Sequence, residues 1–325
     1  MILILSNKWD VSVDFIVREL RQRNEDFVRL NTEIFPQSNC TISLPDSSFT
    51  ISDGNKISEL VGNLKSVLFR RPGKPFEEYE KEHKKLTPAL LHSREQWHTF
   101  VEGLLSLNNV LWINNPKSND IMENKIVQLQ KALEIGLRIP DTCITSDKNN
   151  AEQFLKKCGG TIIAKSLYSP LIEYPDKDYF IFTTLINNLD DVLDLEIKTA
   201  PIILQEFMRG KIDYRVTVIG NNIFPVRIEA INNEFIPVDW RTKKDGLEFV
   251  PTSLPDNITQ KCIDYVEKNN LVFGAIDLVK VKNKFYFLEI NPNGEWGWLQ
   301  KCADLPIAEM ITDYLTLEKK ARGRM

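Results

Sequence analysis

The stretch "FGAIDLVKVKNKFYFLEINPNGEW", residues 273–296, decides how the rest of the chain is read. Two apolar runs, FGAIDLVKV and KFYFLEIN, flank Lys282, Asn283 and Lys284, a spacing that predicts a β-hairpin. Each run carries one acid, Asp277 or Glu289. With a three-residue loop these two fall directly opposite each other, where side chains stand about 5 Å apart. Asn291 joins Glu289 on one face because a strand repeats every two residues. Val279, Phe285 and Phe287 are expected on that face, and Ile276, Leu278, Leu288 and Ile290 on the reverse, so both faces read as buried. Facing carboxylates in such a place repel each other and are costly to desolvate. A bound cation resolves the conflict. The donors are all oxygen, which favours Mg²⁺ or Mn²⁺ over zinc, and magnesium commonly shares its sphere with phosphates. A magnesium nucleotide is the first expectation. The same pattern also fits one carboxylate at a sheet edge, or one paired with a lysine.

A second hairpin, "DYRVTVIGNNIFPVRIEA" at 213–230, repeats the logic with opposite charge. A loop of Gly220, Asn221 and Asn222 sets Arg215 opposite Arg227 and Asp213 opposite Glu229. Facing arginines are unfavourable unless an anion lies between them, or unless the two acids neutralise them on an exposed face. Lys165 closes the apolar strand "TIIAK", and Lys125 stands in the first turns of a helix, where the dipole favours an anion. That helix reads as capped by Asp120 and Glu123, with an apolar stripe of Met122, Ile126, Leu129, Leu133 and Leu137.

Outward from these segments, the 325 residues are 42% apolar and 26% charged, an ordinary globular composition. A net charge of −4 speaks against generic binding to nucleic acid or acidic membrane. Five scattered cysteines show no zinc spacing and read as reduced thiols of a cytoplasmic protein. "MILILS" is too short for a signal peptide or membrane span and reads as a buried first strand, with Asp10 or Ser12 capping the helix after it. Strand and helix alternate to about residue 115, including one long helical region over 79–107. A small α+β lobe follows, then a larger lobe on antiparallel sheet. The last residues, "KKARGRM", form a basic tail.

Taken in order, Lys125, Lys165, "LQEFM" at 204–208, "DYRV" at 213–216 and "AIDL…FLEINPN" resemble an ATP-grasp ligase. The resemblance implies an ATP-grasp fold, mixed α/β and α+β. Its parts are a pre-ATP-grasp α/β lobe (1–115), a small central lobe (116–205) and a C-terminal antiparallel-sheet lobe (206–325). It implies ATP and Mg²⁺ as cofactors. Lys125, Lys165 and Arg227 are expected on the phosphates, Gln205, Glu206 and Phe207 at the adenine, Asp213 at the ribose, and Asp277, Glu289 and Asn291 on magnesium. Within that superfamily, "LFRRPGKP", "DYRVTVIG", "VDWR" at 238–241 and "FLEINPNGEWGWLQ" are most similar to the microviridin-type, or graspetide, macrocyclases. These join side chains of a ribosomally made precursor peptide by ester or amide links. The implied partners are that peptide, leader plus core, and a second copy in a homodimer. No glycine-rich phosphate flap follows Lys165.

The expected chemistry is attack of a substrate Glu or Asp carboxylate on the γ-phosphate, then attack of a Ser/Thr hydroxyl or Lys amine on the acyl phosphate. Arg215 and Arg241 are expected to orient the carboxylate and acyl phosphate, since a guanidinium fork suits both. Asp239 and Glu229 are the candidate bases. Two rival readings are a ligase adding a free amino acid to a protein or peptide terminus, and an ATP-binding regulator without turnover.

Overall fold

The computed structural model describes residues 1–35, 39–44, 48–52, 57–59, 64–83, 85–104, 110–168, 171–173, 178–189, 199–231, 238–243 and 245–317. The basic tail expected at the end lies outside them.

The first strand is the apolar run β1 (Ile2–Ser6), buried throughout. Asp10 caps α1 (Val11–Gln22) by accepting from the N–H groups of Ser12 and Val13, and its apolar side, Val13, Ile16 and Leu20, turns inward. β2 (Phe27–Asn31) then pairs parallel to β1. β3 (Asn39–Ser43) and β4 (Ser48–Ser52) make the hairpin expected there, with β5 (Ile57–Glu59) added. β6 (Ser66–Phe69) and β7 (Leu111–Ile113) complete a parallel sheet of order β2-β1-β6-β7. The long helical region is two helices, α2 (Glu77–His83) and α3 (Pro88–Gly103). Thr87 caps the second and Pro88 starts it, the arrangement proline favours.

One expectation about the next helix is corrected. Asp120 and Glu123 belong to α4 (Pro116–Glu123), capped by Asn115. Asn124 breaks the run and caps α5 (Lys125–Glu134), accepting from Ile126 and Val127. The break rotates the stripe. Gln128, Leu129 and Ala132 are buried, while Ile126 and Leu133 are exposed.

The central sheet has the order β12-β9-β13-β8, from β8 (Thr142–Thr145), β9 (Ile162–Lys165), β12 (Thr184–Ile186) and β13 (Ile202–Glu206). α6 (Lys148–Lys157) covers it. β10 (Leu171–Glu173) and β11 (Asp178–Phe180) pair by themselves where a glycine-rich flap was missing from the sequence.

The C-terminal sheet is antiparallel: β16-β15-β14-β17-β18. Its strands are β14 (Ile212–Ile219), β15 (Asn222–Ala230), β16 (Leu247–Pro251), β17 (Phe273–Val281) and β18 (Lys284–Asn291). One face packs on α5 and α7 (Asp256–Lys268) through Tyr214, Val216, Ile276, Leu278, Phe287 and Ile290. The other shares a core with the first sheet. There Ile219, Val226, Phe273 and Ala275 meet Ile2, Ile4 and Ile16, closed by α8 (Gly297–Cys302) and α9 (Ile307–Thr316). Trp296 lies wholly inside that core, and Trp298 meets Phe249 edge-on and Trp240 at a tilt.

Candidate functional site

Both charged hairpins turn in two residues rather than three. Val281 pairs with Lys284, and Ile219 with Asn222. In β17–β18 a bulge between Asp277 and Leu278 restores the lost residue, so Asp277 does stand opposite Glu289. The bulge also moves Phe285 and Phe287 off the acid face expected for them and into the reverse core, while Leu288 turns to the site. In β14–β15 no bulge intervenes. Arg215 pairs with Val226, Arg227 with Tyr214, and Asp213 with Ile228. The expected oppositions of Arg215 to Arg227 and of Asp213 to Glu229 are therefore corrected: a one-residue slip turns every side chain to the other face. Arg227 and Glu229 face away from Asp213 and form an ion pair with each other at 2.6 Å.

Arg215 instead looks across β14 to its neighbour on β17. Its Nη1 donates to Asp277 Oδ1 at 2.8 Å, and its buried Nε has no partner among the described residues. Beside this pair opens a pocket lined by Lys125, Lys165, Glu206, Phe207, Asp213, Asp239, Arg241, Asp277, Glu289 and Asn291. The fold thus brings together ten of the expected residues from three places. Lys125 comes from the start of α5, Lys165 and Glu206 from the ends of central-sheet strands, and the rest from the C-terminal lobe. Gln205 turns to the other side of β13, where its amide donates to Thr142.

The electrostatics are those of a recessed, charged cleft. Burial pushes the Asp277 carboxyl up, against Arg215, with Glu289 adding to the rise. Glu289 is also penalised by burial, yet Lys165, Arg241 and Lys125 together hold it below the usual carboxylate range. Burial lowers both lysines. The Lys125 ammonium donates to the Ser166 carbonyl at 2.6 Å, whereas that of Lys165 has no ion pair within 4.0 Å among the described residues. Arg241 grips Asp239 in a fork, Nε to Oδ1 and Nη2 to Oδ2, both 2.8 Å, and lies 3.7 Å from Glu289. Despite burial, that fork pulls the Asp239 carboxyl down. Burial pushes the Asp213 carboxyl up, although Lys211 reaches both of its oxygens at 2.5 Å.

Among the described residues no three His, Cys, Asp or Glu side chains cluster as a metal site. The cation candidates are two carboxylates and one carboxamide. They fit magnesium: all-oxygen donors, two negative charges, and one carboxylate oxygen of Asp277 outside the Arg215 hydrogen bond. Lys211, Met208, Ser166, Thr183 and Trp240 also line the pocket and were missed. Met208 and Trp240 stand in the quoted "LQEFM" and "VDWR" motifs, and Lys211 lies two residues before Asp213, just ahead of β14.

Residues 122–315 match the RimK-like ATP-grasp domain. The chain belongs to the RimK-like ATP-grasp family. An uncharacterized protein of Methanocaldococcus jannaschii is 27% identical over 201 residues, and the chain spans 48% of that relative's length. A probable alpha-L-glutamate ligase of Mannheimia succiniciproducens is 22% identical over 229 residues, 67% of this chain and 71% of the relative. Among solved structures, the Chryseobacterium gregarium RiPP-associated ATP-grasp ligase, in complex with ADP and a leader and core peptide, superposes with a TM-score of 0.85. It is 23% identical, covering 97% of this chain and 96% of that one. The macrocyclase MdnC of Microcystis aeruginosa, bound with precursor peptide MdnA, gives 0.84 at 22% identity over 97% and 98%. The ligase PsnB, with a minimal precursor, Mg and ADP, gives 0.77 at 18% over 97% and 96%. These likenesses establish that this RimK-like ATP-grasp chain has the ATP-grasp fold from end to end. Among its described residues no helix is long and apolar enough to cross a membrane.

Proposed function

We propose that this ATP-grasp ligase closes ester or amide links between side chains of a ribosomally made precursor peptide. The observation that carries the reading is the largely buried Asp277–Glu289 pair, facing Lys125, Lys165 and Arg241 in one pocket. That arrangement suits a polyanion carrying a divalent ion. End-to-end likeness to ligases solved with leader and core peptides supports the substrate class.

Lys125 and Lys165 hold the phosphates. Backbone groups around Glu206 and Phe207 meet the adenine, and Asp213 the ribose. Asp277, Glu289 and Asn291 hold magnesium, which when bound neutralises phosphate charge as the γ-phosphoryl group leaves. Arg241 faces the same space and orients the substrate carboxylate. That carboxylate attacks the γ-phosphorus and ADP departs. A hydroxyl or amine of the same peptide then attacks the acyl carbonyl, the C–O bond to phosphate breaks with its electron pair, and the departing phosphate takes up the nucleophile's proton. Asp239 is better suited to fixing Arg241 than to taking a proton, because the fork stabilises its ionised form. Glu229 stands on the reverse face. Closure within one bound peptide gains from proximity.

The test is mass spectrometry after incubation with ATP, Mg²⁺ and a candidate precursor peptide carrying Ser/Thr or Lys and Glu/Asp side chains. Loss of one water's mass per link, with ADP released in step, is the expected result. The second reading, addition of a free amino acid to a terminus, is favoured by the probable alpha-L-glutamate ligase relative. It yields a mass gain of one residue instead. ATP bound but never split with any precursor sinks both.

A further inference from the structure

β18 is an edge strand, so its outward N–H and C=O groups meet no neighbouring strand. At Ile290 one side chain takes both. Gln128, buried on α5, donates from Nε2 to the Ile290 carbonyl at 3.0 Å and accepts the Ile290 N–H at Oε1, also at 3.0 Å. Its amide nitrogen also donates to the Met122 carbonyl at 2.7 Å. Ile290 is the residue between Glu289 and Asn291. Gln128 is itself fixed, since its N–H donates to the Asn124 carbonyl and its own carbonyl accepts the Tyr265 hydroxyl at 2.8 Å. One helical turn back, α5 begins with Lys125, which reaches the pocket.

The core around Gln128 is apolar: Leu129, Ala132 and Ile290 are its neighbours in sequence or contact. An apolar side chain would fill that space but leave both Ile290 groups buried and bare, which is costly. The carboxamide acts as one residue of an absent strand. It sets the height of Ile290 on the sheet, and with it the oxygens on either side.

We propose that Gln128 is a positioning residue for the divalent-cation site, fixing Glu289 and Asn291 against Asp277 and tying them to the lysine-bearing end of α5. The proposal rests on the reading that Asp277, Glu289 and Asn291 hold the cation.

The test uses Mn²⁺ as the probe. Electron paramagnetic resonance of free Mn²⁺ gives its affinity for the full chain with ADP present. Calorimetry in EDTA gives ADP affinity without metal. Gln128→Met keeps length but removes both bonds to Ile290, while Gln128→Glu keeps an acceptor for the Ile290 N–H. The expected result is Mn²⁺ affinity weakened about tenfold or more in Gln128→Met. Gln128→Glu falls between it and wild type, and ADP affinity in EDTA is unchanged in both. Unchanged Mn²⁺ affinity in a folded variant overturns the proposal. So does a parallel fall of Mn²⁺ affinity, ADP affinity and melting temperature, the mark of a merely structural role. Should Gln128→Met not fold, Gln128→Glu carries the same comparison alone. Wild type that binds no Mn²⁺ beside ADP overturns the metal reading and this one together. A failure confined to the Gln128 variants leaves the metal reading standing.

Discussion

The two charged hairpins of the C-terminal sheet lie side by side, with β14 paired to β17. Each turns in two residues, and each begins its turn in the left-handed region, Gly220 at φ +53° and Lys282 at φ +55°. They differ in one residue of strand. β18 carries a bulge beside Leu288, whereas β14–β15 runs in regular register from Asp213 to Ile219. In the bulged hairpin the acids meet face to face. In the regular one the arginines part, one to each side of the sheet. A bulge is therefore how this sheet places Glu289 and Asn291 at the site while Phe285 and Phe287, at the same parity in sequence, fill the core behind it.

The comparison breaks most directly at its acid end. Glu289→Gln is expected to lower ATP consumption by about 10³-fold, a loss typical of removing preorganised charge from a transition-state site. Asp277→Asn should behave alike. Steady-state ADP release checks both, and turnover surviving in the double variant ends the metal reading. Arg215→Met comes next. It strands the largely buried Asp277 carboxylate, and breaking such a pair costs up to about 3–5 kcal/mol, read as a lowered urea midpoint without nucleotide.

Deleting Leu288 sharpens the contrast. A regular strand would throw Glu289 onto the core face and unfold the lobe. A bulge loses only its extra residue, so Asp277 and Glu289 stay opposed. The expectation is a folded protein by circular dichroism, with turnover down about 10–100-fold from small misplacement.

Proton linkage gives a milder test. Burial lowers Lys125 and Lys165, so the unfolded chain binds more protons than the folded one between the lowered and ordinary lysine values. Stability without nucleotide should rise with pH across that window. ADP affinity should fall over the same rise, as the ammonium groups lose their charge. Calorimetry and melting curves in an alkaline series check the two opposite slopes. The smallest effect is expected at Arg227→Met. That pair with Glu229 is about a third exposed on the reverse face, 36% and 40%, and such pairs are worth about 1 kcal/mol or less. ATP consumption should stay within about twofold of wild type. A large loss would put Arg227 back at the phosphates.

Much of this was legible in residues. Acids set into apolar strands and lysines at strand and helix ends marked Asp277, Glu289, Asn291, Asp213, Lys125 and Lys165 of the pocket, while the family resemblance carried by their order implied the fold and the adenine-side residues Glu206 and Phe207. The opposition of Asp277 to Glu289 came out right although the turn was one residue shorter than expected, because the bulge compensated. Turn length and bulges depend on backbone angles that residue type biases only weakly, and Lys282 takes a left-handed φ with no glycine to announce it. The cap of α5 was misread for a similar reason. Asp120 and Glu123 have the spacing of a capping box, but Asn124 competes and wins the helix start. Gln128 gave no sign at all, since the Ile290 backbone groups it bonds lie 162 residues away.

Helix α9 finishes the core begun by β1. Ile307, Ile311 and Leu315 lie against Ile2, Ile4 and Leu68, and the Ser66 hydroxyl donates to the Leu315 carbonyl. During synthesis, then, the opening sheet waits with one side bare until residues 307–315 have left the ribosome. Such long-range closure slows folding and gives chaperones a partner. Removing α9 should disturb the sheet of β1 and β6 first.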